Sequence, residues 1–105
     1  MVKLSLPFKE IFIEETEDAY VYKRLFDKNL NDSDLYWHKD KEDREIILLK
    51  GEGWYIQKDN SIPVLIEKNK LYFIDKNVWH RLINRKYSDL AIIIRKIKNN
   101  NILKV

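Results

Sequence analysis

Short runs of alternating apolar and polar residues, broken by turn-forming residues at intervals of roughly 8 to 12 positions, predict strands rather than helices along this chain. Lys9 to Ile13 and Ala19 to Phe26 read as the first two strands, the second rich in tyrosine and valine. The polar stretch Asp27 to Asp34 reads as a loop. Further strands are expected at Leu35 to His38, Glu45 to Leu49, Trp54 to Gln57, Val64 to Glu67, Leu71 to Ile74, Trp79 to Asn84 and Leu90 to Ile97. Asp59-Asn60-Ser61, set between Trp54-Tyr55-Ile56 and Ile62-Pro63-Val64, is the clearest hairpin signal. No heptad, internal repeat or linker divides the chain, so one all-β domain over residues 1–105, a sandwich or a barrel, is the expectation. The polar tail Asn99-Asn100-Asn101 is expected to fray, with Ile102, Leu103 and Val105 available to dock on a neighbour.

Strand parity decides which side chains can meet. Successive residues point to opposite faces, so Tyr36, His38 and Asp40 share one face, as do His80, Leu82 and Asn84. By the same rule Trp37 and Trp79 turn away from the histidines beside them. Tyr20, Tyr22, Tyr55 and Tyr72 are expected to pack as alternating strand residues, whereas Tyr36 could bring a hydroxyl to the His38 face.

Composition removes several classes of function. At 105 residues and 45% hydrophobic content the chain can build one core. Charged residues make up 35% with a net charge of only +3, and the lysines are scattered among acids, so no nucleic-acid partner is expected. The absence of cysteine excludes disulfides, thiolate ligands and a cysteine nucleophile. With two glycines there is no phosphate-cradling loop, and no serine sits in a nucleophile elbow. Apolar runs such as Leu90 to Ile94 are too short to cross a bilayer, and Lys9 and Glu10 follow Pro7 before a signal-peptide core could form. No membrane partner is therefore expected, and a cytoplasmic location is.

The candidate chemistry lies around the two histidines. The first block is Trp37-His38-Lys39-Asp40-Lys41-Glu42-Asp43-Arg44-Glu45, running through Ile46-Ile47-Leu48-Leu49-Lys50 into Gly51. The second runs from Asn69 through Asp75, Asn77 and Trp79 to His80 and Asn84. Together they resemble the two signature motifs of the cupin superfamily, G(X)5HXH(X)3-4E(X)6G and G(X)5PXG(X)2H(X)3N. The second block keeps the spacing at every step, with Asn69 and Asn77 at glycine positions and Asp75 at the proline. Asparagine is the non-glycine residue that best tolerates positive φ, so the turn can survive these replacements. The first block keeps His38 and Gly51 but has Asp40 in place of the second histidine and Arg44 in place of the glutamate.

The resemblance covers about residues 35–97 and implies an antiparallel jelly-roll β-barrel, cupin-like, in which His38, Asp40 and His80 point inward near one end. Two imidazoles and a carboxylate would then form a metal site with open positions, suited to Fe(II), Zn, Mn or Ni. The order His-X-Asp with a distant His is also similar to the ligand order of Fe(II)/2-oxoglutarate oxygenases, although no basic residue stands at the usual distance beyond His80. Arg44 opposes a metal, because a guanidinium stays protonated and cannot ligate. It would instead suit an anionic ligand through its planar fork, or simply pair with its acidic neighbours. Arg44, Tyr36 and Asn84 are accordingly the expected ligand-binding residues, with no organic cofactor.

Three functions remain open at this point: a metal-dependent cupin acting on a small oxygen-rich or anionic molecule, a metal-free cupin binding a sugar or carboxylate in the manner of an isomerase or epimerase, and a non-catalytic binding module. The sequence does not decide whether the chain is an enzyme. A small-molecule ligand and a homodimer, which would cover exposed strand edges, are the expected partners.

Overall fold

Eight strands form along the computed structural model, which describes residues 6–98; the expected fraying tail lies outside them. β1 (Phe8–Glu15), β2 (Ala19–Phe26), β3 (Arg44–Lys50), β4 (Trp54–Lys58), β5 (Val64–Leu65), β6 (Leu71–Ile74), β7 (His80–Asn84) and β8 (Leu90–Ile97) are all paired antiparallel. One sheet has the order β1-β2-β8-β3-β6 and the other the order β5-β4-β7. This is the all-β arrangement that the strand pattern predicts and the jelly roll that the cupin resemblance implies.

Alternation places the core between the sheets. From the five-stranded sheet come Phe26, Ile46, Leu48, Ile74, Leu90, Ile92 and Ile94, and from the other side Trp54 and Ile56, with Leu35 and Ile66 contributed by connecting segments. Trp54 is fully buried and its indole N–H donates to the Ser88 carbonyl at 2.7 Å, which satisfies its one polar atom. Deleting any of the large aliphatic groups here would remove about 2 to 5 kcal/mol of stability. Trp37 and Trp79 face outward as parity requires, and Arg81 and Lys39 stack on their rings at 4.9 and 5.3 Å.

Several strand limits differ from the sequence reading for identifiable reasons. Leu35 to His38 does not form a strand: Leu35 turns into the core, and only His38 pairs, in an isolated antiparallel bridge with His80. The expected strand Val64 to Glu67 stops at Leu65 because the Tyr72 hydroxyl takes over its polar groups, donating to the Leu65 carbonyl at 3.0 Å and accepting from the Glu67 N–H at 2.7 Å. β1 extends beyond both predicted ends and carries a bulge between Phe12 and Glu14. β3 starts one residue earlier than expected, which draws Arg44 into the ladder opposite Ile74 and Lys96.

The turns that replace motif glycines hold the conformation those glycines would have. Asn69 and Asn77 adopt φ of 64° and 62°, and Asn60 in the β4–β5 hairpin adopts 59°. The Asn77 N–H donates to the Asp40 carbonyl at 2.7 Å, and the Lys76 N–H to Asp43 Oδ1 at 2.7 Å. The turn before β7 is thereby fastened to the segment that follows His38. Asn77→Gly is expected to be neutral or slightly stabilising, while Asn77→Val should cost about 1 to 2 kcal/mol through the strain of a β-branched residue at positive φ. Thermal unfolding of the two variants checks this, and an unchanged melting temperature for the valine variant would refute it.

Candidate functional site

His80 opens β7, and its backbone exchanges both hydrogen bonds with His38, at 3.0 and 2.8 Å. Residues paired in this way carry their side chains to the same side. The two imidazole rings consequently lie side by side, with centroids 4.3 Å apart and planes tilted by 59°. Asp40 arrives two residues beyond His38 and is positioned by the bond from Asn77. One ligand atom from each of His38, Asp40 and His80 falls within 4.8 Å of the others.

Both histidines are oriented by the same local device. His38 Nδ1 lies 3.1 Å from the Tyr36 carbonyl and His80 Nδ1 2.8 Å from the Val78 carbonyl. A carbonyl can only accept, so each neutral ring must carry its proton on Nδ1 and leave a lone pair on Nε2. Asp40 Oδ2 sits 3.3 Å from His80 Nε2. With His80 neutral two acceptors face each other and Asp40 Oδ2 is buried without a hydrogen-bond partner, whereas an imidazolium His80 would donate Nε2–H to that oxygen. A buried orphan carboxylate oxygen beside imidazole lone pairs is an arrangement that a cation completes. The residues therefore fit a divalent metal ion.

Arg44 lies on the cavity wall beside this cluster. Its Nη2 is 3.3 Å from Asp40 Oδ1, and its Nε and Nη2 donate to Glu42 Oε2 at 2.8 and 2.6 Å. Facing the cavity and pairing with acidic neighbours are not alternatives here; the side chain does both. It takes only one oxygen of Asp40 and leaves the other toward the histidines. The adjacent acid, Glu45, is on the opposite face of β3 and pairs with Arg95 and thus cannot replace the missing glutamate. Tyr36 also lines the cavity, more than half exposed, with its ring edge-on to His38 at 6.3 Å.

Asn84 corrects the sequence expectation. It does not line the cavity; its Nδ2 donates to the Lys28 and Leu30 carbonyls at 2.9 and 3.0 Å, pinning the 27–34 loop. The residue is at the far end of β7 from His80, and shared parity cannot overcome that distance along the strand. Arg24 is the residue the sequence reading missed. It is buried on β2, lines the cavity and pairs with Glu10. Its signal was weak because both parities of Ala19 to Phe26 are largely apolar, which hides the inward face.

Burial pushes the His38 pKa down, since the imidazolium would be poorly solvated, and nearby His80 adds to this against the opposing bond to Tyr36. For Asp40, burial works to raise the pKa, but a hydrogen bond from His80 in its protonated form and the charge of the Arg44 guanidinium outweigh it, so the carboxyl lies below its ordinary value. At neutral pH the cluster thus presents neutral His38 and an ionised Asp40.

No family model matches the sequence, and no curated protein matches it. Solved structures do. An RmlC-like cupin family protein with a double-stranded β-helix fold from Methanocaldococcus jannaschii superposes with a TM-score of 0.68 at 13% identity, covering 92% of this chain and 85% of that one. A cupin domain from Bordetella pertussis Tohama I gives 0.67 at 14% identity, covering 92% and 100%. KdgF from a Halomonas species gives 0.68 at 11%, covering 97% and 91%. The chain has the cupin fold, as the spacing of its two motifs implies.

In metal-free protein, nitrogen-15 correlation spectra are expected to show both neutral histidines as Nδ1–H tautomers. The His38 midpoint should lie below the ordinary value of about 6.5. Between that midpoint and about 6.5 the unfolded chain binds the proton and the folded one does not, so the His38 contribution to stability falls as pH drops through this window. Nε2–H tautomers would refute the geometry.

Proposed function

We propose that the chain binds one divalent metal ion through His38, Asp40 and His80 and receives a small oxygen-rich or anionic molecule in the adjoining cavity. The observation that carries this reading is the unpartnered Asp40 Oδ2 beside two Nδ1-anchored imidazoles. A bound ion would polarise a ligand oxygen as a Lewis acid, and this ligand set suits Fe(II), Zn, Mn or Ni. Arg44 contributes by holding Asp40 Oδ1 and by adding positive charge for an anion. A second reading, metal-free binding of a sugar or carboxylate by Arg44 and a histidine base, is favoured by the position of Arg44 on the cavity wall. No described helix is long and apolar enough to cross a membrane, and the cytoplasmic location expected from the sequence stays part of the proposal.

Titration of untagged protein with zinc, nickel or Fe(II) separates the two readings. One equivalent should bind, more weakly as pH falls and protons compete with the metal for His38, whose pKa lies below its ordinary value. His80→Ala should abolish uptake, and Arg44→Glu should tighten it about tenfold, or about 1.4 kcal/mol, by removing a cation and adding an anion. Binding of none of the three metals would leave the metal-free reading in its place.

We also propose a homodimer formed through the outer face of the five-stranded sheet. Ile11, Ile47 and Leu71 lie on one row across the sheet, with Lys23 and Ile93 between the first two and Phe73 on the next row beside Glu45, and Ile11, Ile47, Leu71 and Phe73 are 47%, 37%, 56% and 42% exposed. A second copy would cover this apolar strip. Light scattering should give twice the chain mass for wild type and the single mass for Leu71→Glu; a monomeric wild type would dismiss the dimer.

A further inference from the structure

Arg24 has no task in the metal site, yet its setting is that of a binding group. Only 8% of the residue is exposed, its Nε is held by Glu10, and its guanidinium carbon lies 3.9 Å from the centroid of the Phe8 ring. These contacts fix the plane of the fork and use one of its five N–H donors. Among the described residues neither Nη atom has a hydrogen-bond partner, and neither is sealed off as a buried unsatisfied atom. Four donors on a rigidly held, desolvated cation are thus left open to the cavity that Arg24 lines. Such a fork matches the two oxygens of a carboxylate.

The remaining walls define what the carboxylate is attached to. Phe8, Phe26, Ile74, Leu82, Ile92 and Ile94 contribute no polar side-chain atom, and the polar lining gathers around Arg24, Arg44 and the His38, Asp40, His80 cluster. A sugar would leave hydroxyls unpaired against these aliphatic surfaces, which is costly in a desolvated site. The cavity measures about 220 Å³. An apolar cavity of about 150 Å³ accommodates benzene, whereas drug-sized ligands occupy about 300 Å³ or more. Glu10 and Glu42 pair with the two guanidiniums of the wall, so it is the open fork of Arg24, and not a net positive field, that would draw a carboxylate.

We infer that the cavity takes a small organic monocarboxylate with an apolar body of about benzene size, its carboxylate gripped by Arg24 and its body packed against the isoleucine and phenylalanine wall. This rests on the reading that the cavity is the ligand site and not on whether a metal is bound there. Arg24 is the specificity-determining residue, since it fixes the acidic end, and the aliphatic and phenylalanine part of the wall disfavours polyols.

The test is calorimetric titration of full-length protein, with and without one equivalent of zinc, using benzoate, its neutral counterpart benzyl alcohol, and glucose. Benzoate should bind with one-to-one stoichiometry in both metal states, and benzyl alcohol and glucose at least tenfold more weakly. Arg24→Gln should weaken benzoate at least tenfold while leaving benzyl alcohol unchanged, and Arg24→Lys should recover part of the loss. Should Arg24→Gln fail to fold, the Glu10→Gln/Arg24→Gln double variant removes both members of the buried ion pair and leaves only the partly exposed Lys96 without its partner. Benzoate binding that ignores the Arg24 substitution, glucose binding as tight as benzoate, or no benzoate binding in either metal state overturns the inference. Failure to take up zinc, with benzoate still dependent on Arg24, would remove the metal reading alone.

Discussion

The site depends on a single pair of backbone hydrogen bonds, those that His38 and His80 exchange. The segment carrying His38 makes no other ladder contact, so this bridge, with the Asn77–Asp40 bond just beyond it, sets the depth and direction of its imidazole relative to β7. The reciprocal pairing puts both rings on one side, and the carbonyl two residues before each ring fixes its proton. Everything placed nearby, including the Asp40 carboxylate and the turn at Asn77, is arranged around that junction.

Charge in the cavity is organised by dividing the two oxygens of Asp40. One accepts the approach of Arg44, and the other is left to the histidines. Arg44 is restrained in turn by Glu42, and Arg24 by Glu10, so each cation in the wall has an acidic neighbour nearer the rim. A guanidinium at the motif's glutamate position is therefore compatible with an ion beside it, because the acidic partners offset its charge and hold it off the histidine lone pairs. Removing Glu10 would leave Arg24 as an uncompensated buried charge, the costly outcome for such groups, whereas Arg44 would keep Asp40 on loss of Glu42.

The fold was legible because strand alternation and the spacing of the second motif are both local patterns. Asn77 illustrates this: a residue standing at a glycine position was expected at positive φ and is found there. His38, Asp40, His80 and Arg44 were likewise traceable to the cavity from motif spacing, and Tyr36 reaches it although the strand whose parity pointed there does not form. The misplacement of Asn84 has a different origin. Parity says which face a residue occupies but not how far along the barrel it lies, and at the distant end of β7 the nearest unsatisfied groups were loop carbonyls. Arg24 escaped notice because its importance comes from residues far away in sequence, and its own strand has no clear polar face to mark it. The loss of the strand at Leu35 to His38 was equally invisible, since Leu35 serves the core by leaving the sheet plane.

The order β1-β2-β8-β3-β6 has a consequence for the time course of chain emergence during synthesis. β1 and β2 can pair as soon as both are made, but the inner edge of β2 and one edge of β3 await β8, which is translated last of the eight strands. At synthesis rates of about 5 to 20 residues per second, those edges stay unpaired for several seconds after β3 has emerged. Until then Arg24 and Arg44, on strands that meet only through β8, have no common wall to stand on. The cavity is thus assembled in one late closure, and the nascent chain carries open strand edges prone to pairing with other chains throughout that interval.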